Sequence, residues 1–209
     1  MHIPIDRRAW PIASILFSLA LIFWFFYKPI CIAIDFVMIL HLAFFRDPER
    51  SIPAGDALLS PADGQVVEVS NVFEDRYLKE EAVRIRLFLS IFVPHISRIP
   101  MTGKVQYLKY EPGEFVNALK PESFTRNESN WIGIQGSRGC ILVRRIAGMI
   151  AKRIYCDIDE GSEVKRGERY GIICYSSGAE CYIPTRLFKP TTQVGEHLQA
   201  GKSILGEWI

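Results

Sequence analysis

Three places in this 209-residue chain set reactive side chains where strands and turns would fix them. The first is "YGIICYSSGAECYIP", Tyr170 to Pro184. Two adjacent hydroxyls, Ser176 and Ser177, stand between strand-forming runs, with Cys174 and Cys181 on either side. A serine hydroxyl reacts as a nucleophile when a base takes its proton and donors hold the developing oxyanion. The second, "SIFVPHISRIP", offers such a base. His95 follows an apolar run and a proline, and Arg98 lies three residues on. Of the four histidines, His2 is terminal, His41 lies in an apolar segment and His197 in a turn-like repeat, which leaves His95 beside a strand and a break. The third, "SPADG", puts Asp63 at a strand entry, where its carboxylate either caps its own turn or serves a site. Each residue keeps a plain structural reading beside the chemical one: solvent-face serines, a satisfied histidine, a turn aspartate. No G-x-S-x-G elbow surrounds the serines, which argues against a hydrolase. No glycine-rich phosphate loop or metal-spaced cluster occurs, and no metal is expected.

Short strands must position these groups. "QVVEVSNV" alternates after the turn "PADG", and "AVRIRLFLSIFV" alternates and then becomes a buried run. "GKVQYLKY", "GCILVRRIAGMIAKRIYCDI", "RYGIICY" and "AECYIP" are further β-branched or aromatic runs between Gly, Pro, Asp and Asn punctuation. "PESFTRNESNW", Pro121 to Trp131, reads as a polar loop. A weak repeat links "EGSEVKRGERYGII" and "VGEHLQAGKSILGE": Gly161 and Gly167 match Gly195 and Gly201, with Val164 and Leu198 at the apolar places. That spacing resembles the half-units of lipoyl- and biotinyl-type β sandwiches, although neither Lys165 nor Lys202 lies in the hairpin context of a carrier lysine. The expected fold is mainly β, a lipoyl/biotinyl-like sandwich or barrel.

The N-terminal part differs in texture. Ala9 to Tyr27 carries no charge and has about the 20 residues needed to cross a bilayer core. Pro29 to Phe45 is apolar but interrupted by Asp35 and His41, so it reads as a hairpin partner or as a re-entrant or interfacial helix. The first segment ends in bulky "FWFFYK" instead of a small-residue cleavage site, which favours a retained anchor over a signal peptide. Arg7 and Arg8 before the pair, and Arg46 and Arg50 after it, place both flanks in the cytoplasm by the positive-inside rule. Residues 1–46 are expected to form a transmembrane helical hairpin, and 47–209 a β-rich domain at the inner membrane face. The odd set of five cysteines without CxxC spacing fits a reduced compartment, and a net charge of +2 gives no reason to expect nucleic acid.

In order along the chain, "FFRDPER", "LLSPADGQVVEV", "FLSIFVPHISRIPMTGKV", "RNES", "RRIAGMIAKRIYCDIDEGSEVKRGERYGII" and "YIP" resemble the short bacterial phosphatidylserine decarboxylase proenzymes. The resemblance covers about Phe44 to Pro184. It implies a pyruvoyl-dependent carboxy-lyase that makes phosphatidylethanolamine from phosphatidylserine in the membrane. In that family the chain cuts itself at a Gly-Ser bond: the serine hydroxyl attacks the preceding carbonyl, β-elimination follows, and the residue left at the new N-terminus becomes a pyruvoyl group. With "GERYGII" fixing the register, the family's "RFGSR" falls on Cys174 to Gly178. The resemblance therefore implies cleavage between Ser176 and Ser177, with Ser177 as the pyruvoyl precursor and Schiff-base residue. The β chain would end at 176 and the α chain begin at 177, the two remaining associated, and a homo-oligomer is compatible with this. His95 is implied as the proton-handling group, and Asp63 as the group that orients or charge-balances the base.

The sequence departs from the pattern at four positions near this chemistry. Ser176 replaces the usual Gly, Gly178 and Cys174 replace arginines, and Ser97 replaces a frequent Asn. The alternative is a non-processing relative that binds an aminophospholipid or a membrane partner without catalysis.

Overall fold

A computed structural model of the chain describes residues 4–116, 122–148, 153–174 and 177–209. It divides into two compact units, one ending at Glu49 and one beginning at Arg50.

The first unit holds two helices, α1 (Trp10–Phe26) and α2 (Lys28–Phe44). Each begins with proline in its first turn, where the missing N–H costs no helical hydrogen bond. Tyr27 separates them with an extended backbone. The start of α1 is clipped to the end of α2. Asp6 N–H donates to Phe45 O and Asp47 N–H to Pro4 O, both at 2.8 Å, and His41 Nε2 lies 3.0 Å from Ala9 O. With the preceding 3-10 turn, the helical stretch Arg7–Phe26 has 20 residues and is long and apolar enough to cross a membrane.

The second unit is mainly β, with strands β1 (Leu58–Leu59), β2 (Gly64–Glu74), β3 (Glu80–Leu89), β4 (Ile96–Arg98), β5 (Gly103–Glu111), β6 (Ser129–Gly136), β7 (Gly139–Ala147), β8 (Ile154–Cys156), β9 (Glu163–Val164), β10 (Arg169–Ile173), β11 (Ser177–Pro184), β12 (Phe188–Pro190), β13 (His197–Leu198) and β14 (Ile204–Trp208). One antiparallel sheet in the order β13-β2-β3-β11-β7-β6-β5-β9 curls into a half-barrel. Two three-stranded sheets, β1-β14-β12 and β4-β10-β8, complete the unit. The period-2 alternation decides the core. Val83, Ile85, Leu87 and Leu89 of β3 and Ala179, Cys181 and Ile183 of β11 enter one apolar cluster with Val143 of β7 and Ile132 of β6. Each such Val, Leu or Ile side chain contributes about 1.5–3 kcal/mol by leaving water.

The internal repeat corresponds to matched structure. Gly161, Gly167, Gly195 and Gly201 all have positive φ, which glycine adopts without Cβ strain. Gly161 N–H donates to Val105 O and Gly195 N–H to Val66 O, both at 2.8 Å. Between the paired glycines lie β9 and β13, which close the two edges of the large sheet against β5 and β2. Two equivalent halves therefore meet at the β11–β7 pair in the middle.

Two expectations are corrected. Pro121 to Trp131 is not a simple polar loop. Ser123–Arg126 forms a one-turn helix, α3, Ser129 begins β6, and Phe124, Asn127 and Glu128 are buried. The apolar face of Phe124 finds a place on the large sheet that a composition reading could not see. The end of "AVRIRLFLSIFV" is not a buried run either: β3 stops at Leu89, and Ile91 and Phe92 are exposed. A turn at Ser90 ends the alternation before them.

Candidate active site

Ser177 is the first residue of β11, the central strand of the large sheet. It pairs with Leu89 of β3 on one side and Ala147 of β7 on the other. Its exposure is 0%, and its hydroxyl has no hydrogen-bond partner among the described residues. A buried hydroxyl without a partner costs about 1–3 kcal/mol, so proteins rarely keep one without use for it. Ser176, the other half of the pair, lies outside the described residues.

Asp63 stands at the same end of the sheet. Gly64 follows it, and a Cβ there would fall 2.6 Å from Phe88 O, which explains the glycine of "SPADG". Gln65 pairs with Phe88, and Phe88 with Gly178, so the Asp63 turn and Ser177 are separated by one intervening strand, roughly 10 Å at ordinary strand spacing. Asp63 is buried and doubly held. Its Oδ1 receives Arg50 Nη2 at 2.6 Å, and its Oδ2 receives Ala200 N–H at 3.1 Å. Arg50 is itself mostly buried, so this ion pair is shielded from water. In the sequence Arg50 stands only as a flanking charge. The "RDPER" cluster just before a polar turn was the available signal.

His95 is buried between β3 and β4. Its Nδ1 lies 2.8 Å from Val93 O, and because a carbonyl only accepts, Nδ1 carries the proton and Nε2 is the basic nitrogen. His95 O receives Ile173 N–H at 3.3 Å, the last residue of β10, and Arg98 N–H donates to Pro61 O at 2.9 Å. Backbone bonds thus tie the histidine segment both to the strand that leads toward Ser177 and to the Asp63 turn.

On the opposite face of the sheet a row of charge crosses four strands and ends on an aromatic ring: Glu68, Arg86, Glu180, Arg144 and then Trp131 are successive cross-strand neighbours. Glu180 receives Arg86 Nε at 2.8 Å, Arg144 Nη1 at 3.3 Å and the Tyr182 hydroxyl at 2.9 Å. Arg86 also pairs with Glu68 and stacks 4.1 Å above the Phe124 ring. That ring approaches within 3.0 Å of where a Cβ of residue 178 would stand. Gly178 therefore fits where a longer side chain would displace Phe124, a physical reason for the departure at this position. Cys181 points into the core, where burial pushes its thiol up to about 12 and keeps it protonated. Cys174 is buried after β10.

A buried serine hydroxyl at the head of a central strand, with an oriented histidine and a held carboxylate at the same end of the fold, can support proton transfer to and from a reacting serine. The phosphatidylserine decarboxylase family model matches residues 37–206. The chain belongs to the phosphatidylserine decarboxylase family. It is thus a decarboxylase, a carboxy-lyase. Among similar curated proteins, the phosphatidylserine decarboxylase proenzyme of Nitrosomonas eutropha is 38% identical over 211 residues, covering 99% of this chain and 96% of the relative. The proenzyme of Cupriavidus metallidurans is 38% identical over 215 residues with the same coverages. That of Carboxydothermus hydrogenoformans is 39% identical over 173 residues, covering 82% of this chain and 81% of its own.

Proposed function

We propose that the protein decarboxylates phosphatidylserine to phosphatidylethanolamine after cutting itself between Ser176 and Ser177. The observation that carries this is the Ser177 hydroxyl, fully buried and unpartnered among the described residues at the head of the central strand. It supports Ser177 as the residue that attacks its own upstream carbonyl. The amide becomes an ester as the peptide N–C bond breaks. Loss of the ester carboxylate by elimination, then hydrolysis with release of ammonia, leaves a ketone at residue 177. That residue fits as precursor of a pyruvoyl group, which supplies an electron sink when the headgroup carboxyl leaves as CO₂. His95 takes and returns protons through Nε2. Asp63, held by Arg50 and the Ala200 amide, orients or charge-balances the base.

Cleavage leaves residues 177–209 as a separate chain. β11 is bonded on both sides, to β3 and β7, and Glu180 is held by arginines of both neighbours, which favours lasting association of the two pieces. The fold is read as two lipoyl-like half-units meeting at this strand. Helices α1 and α2 are read as the membrane hairpin, with Arg7, Arg8, Arg46 and Arg50 keeping both flanks, and the catalytic unit, on the cytoplasmic side of the cell membrane.

Mass analysis of the purified protein under denaturing conditions tests the reading. It predicts a large chain ending at Ser176, a small chain beginning with a blocked residue 177, and phosphatidylethanolamine formed from phosphatidylserine vesicles. Ser177→Ala should give one intact chain and no product. A parent protein that stays intact and inactive would instead identify a non-processing member of the family.

A further inference from the structure

Between Arg86 and Arg98 the sequence has no Asp, Glu, Lys or Arg. The middle of this run is turned outward. Val93 N–H donates to Ser90 O at 3.1 Å and Phe92 N–H to Ser90 Oγ at 3.3 Å, so Ile91 and Phe92 form the tip of a tight turn. Phe92 is 78% exposed and Ile91 42%. Turn tips are ordinarily Gly, Asn, Asp, Ser or Pro, and two large apolar side chains there gain nothing from water.

The turn lies next to the reaction site without entering it. It leaves Leu89, which pairs with Ser177, and it ends at His95, whose Nδ1 is bonded to Val93 O. The other flank of Ser177 carries a similar feature. Ala147, its partner on β7, accepts Asn127 Nδ2 at 2.7 Å, and the same Asn127 bonds both the N–H and the O of Val116 at 2.7 Å. This fastens Phe115, 38% exposed, to the same end of the sheet. Phe73, by contrast, is an exposed ring near the far end of β2, paired with Glu81.

We propose that the Ile91–Phe92 turn enters the lipid surface beside Ser177, so that the headgroup of a bilayer phospholipid is met in place. The proposal rests on phosphatidylserine being the substrate. It commits to a bilayer because that substrate has two acyl chains, and withdrawing them into water would expose far more apolar surface than this turn presents. Apolar residues on both sides of the serine let the site approach the headgroup while the chains stay in the membrane.

The experiment uses the full chain reconstituted in vesicles and two substrates: long-chain phosphatidylserine in the bilayer, and short-chain phosphatidylserine dispersed as monomers. Phe92→Asp and Ile91→Asp are each expected to raise KM for bilayer substrate about tenfold, the scale of losing much of one buried aromatic contact. Self-cleavage, kcat and the kinetics on monomeric substrate should stay at parental values. In parallel, the emission that Phe92→Trp adds over the parent should be quenched by lipids brominated near the headgroup end of the chains. Unchanged bilayer KM, or equal losses on both substrates, overturns the proposal; the second result would make the turn part of the reaction site itself. Unquenched emission with loss of self-association in Phe92→Asp assigns the turn to a second copy of the chain and also overturns it. If the parent converts neither substrate, the functional reading fails, while the quenching still reports whether the turn meets lipid.

Discussion

Asp63 and Thr102 hold equivalent places in the two halves of the catalytic unit. Asp63 Oδ2 accepts Ala200 N–H at 3.1 Å, and Thr102 Oγ1 accepts Arg166 N–H at 3.1 Å. Each acceptor precedes the glycine that opens a long strand, and each donor precedes, by one residue, the second positive-φ glycine of its repeat. The cap is therefore a property of the fold. What Asp63 adds is a charge, and that charge meets Arg50.

Replacing Asp63 with threonine separates the two roles. Asp63→Thr should keep the Ala200 cap but leave Arg50 buried without its carboxylate, costing about 3 kcal/mol in urea unfolding. Adding Arg50→Met should recover most of that stability. The rate of two-chain formation should remain down by about 10² or more in both variants, the scale of lost acid–base assistance. A double variant that is stable and cleaves at the parental rate would reduce Asp63 to a cap.

Ser177→Ala should abolish cleavage without weakening the fold. The hydroxyl has no partner among the described residues, so its removal breaks no hydrogen bond to any of them. Compared with the uncleaved precursor, the intact variant should melt at or above it, by a stabilisation of about 1 kcal/mol. A clear drop in the calorimetric midpoint would mean that the hydroxyl is bonded in the folded protein.

Ser176→Gly should speed cleavage. Glycine removes the Cβ beside the attacked carbonyl and admits backbone shapes that serine resists. Time courses of chain appearance in parallel translations measure this, and equal rates would show that the Cβ at 176 is no obstacle.

Glu180→Ala should loosen the cleaved pair. It leaves Arg86 and Arg144 without their shared buried carboxylate, at a cost of about 3–5 kcal/mol. The 177–209 chain should separate from the larger chain at lower urea in gel filtration, whereas an exposed-pair variant such as Arg138→Ala should change the midpoint little.

Acid stability should report Glu111. Burial pushes its carboxyl up, but bonds from Arg76, Lys109 and Trp131 outweigh that and hold it at about 2, below the ordinary 4.5. A depressed folded value means that the ionised form favours the folded state. The contribution is complete above pH 4.5 and disappears as pH falls toward 2. Glu111→Gln should flatten the stability profile within that window and leave its slope near neutrality unchanged.

The residues themselves determined a good deal. Turn glycines and period-2 runs specify local geometry that a chain cannot satisfy in many ways, so the strands, the Gly161/Gly167 and Gly195/Gly201 repeat, and the apolar N-terminal helix were all legible. The ordered motifs set a register from which Ser177 is the expected reacting residue. Distant pairings were not legible. Arg50 meets Asp63 across 13 residues, and Glu180 meets Arg86 across 94, contacts made by the tertiary fold and not by sequence spacing. Phe124 sat inside a stretch polar enough to read as a loop, and the sheet beneath it decided its burial. Ile91 and Phe92 looked like core because hydrophobicity is a property of the residue. Which side of a surface a residue faces belongs to the fold, and a turn at Ser90 sent these two outward beside the serine.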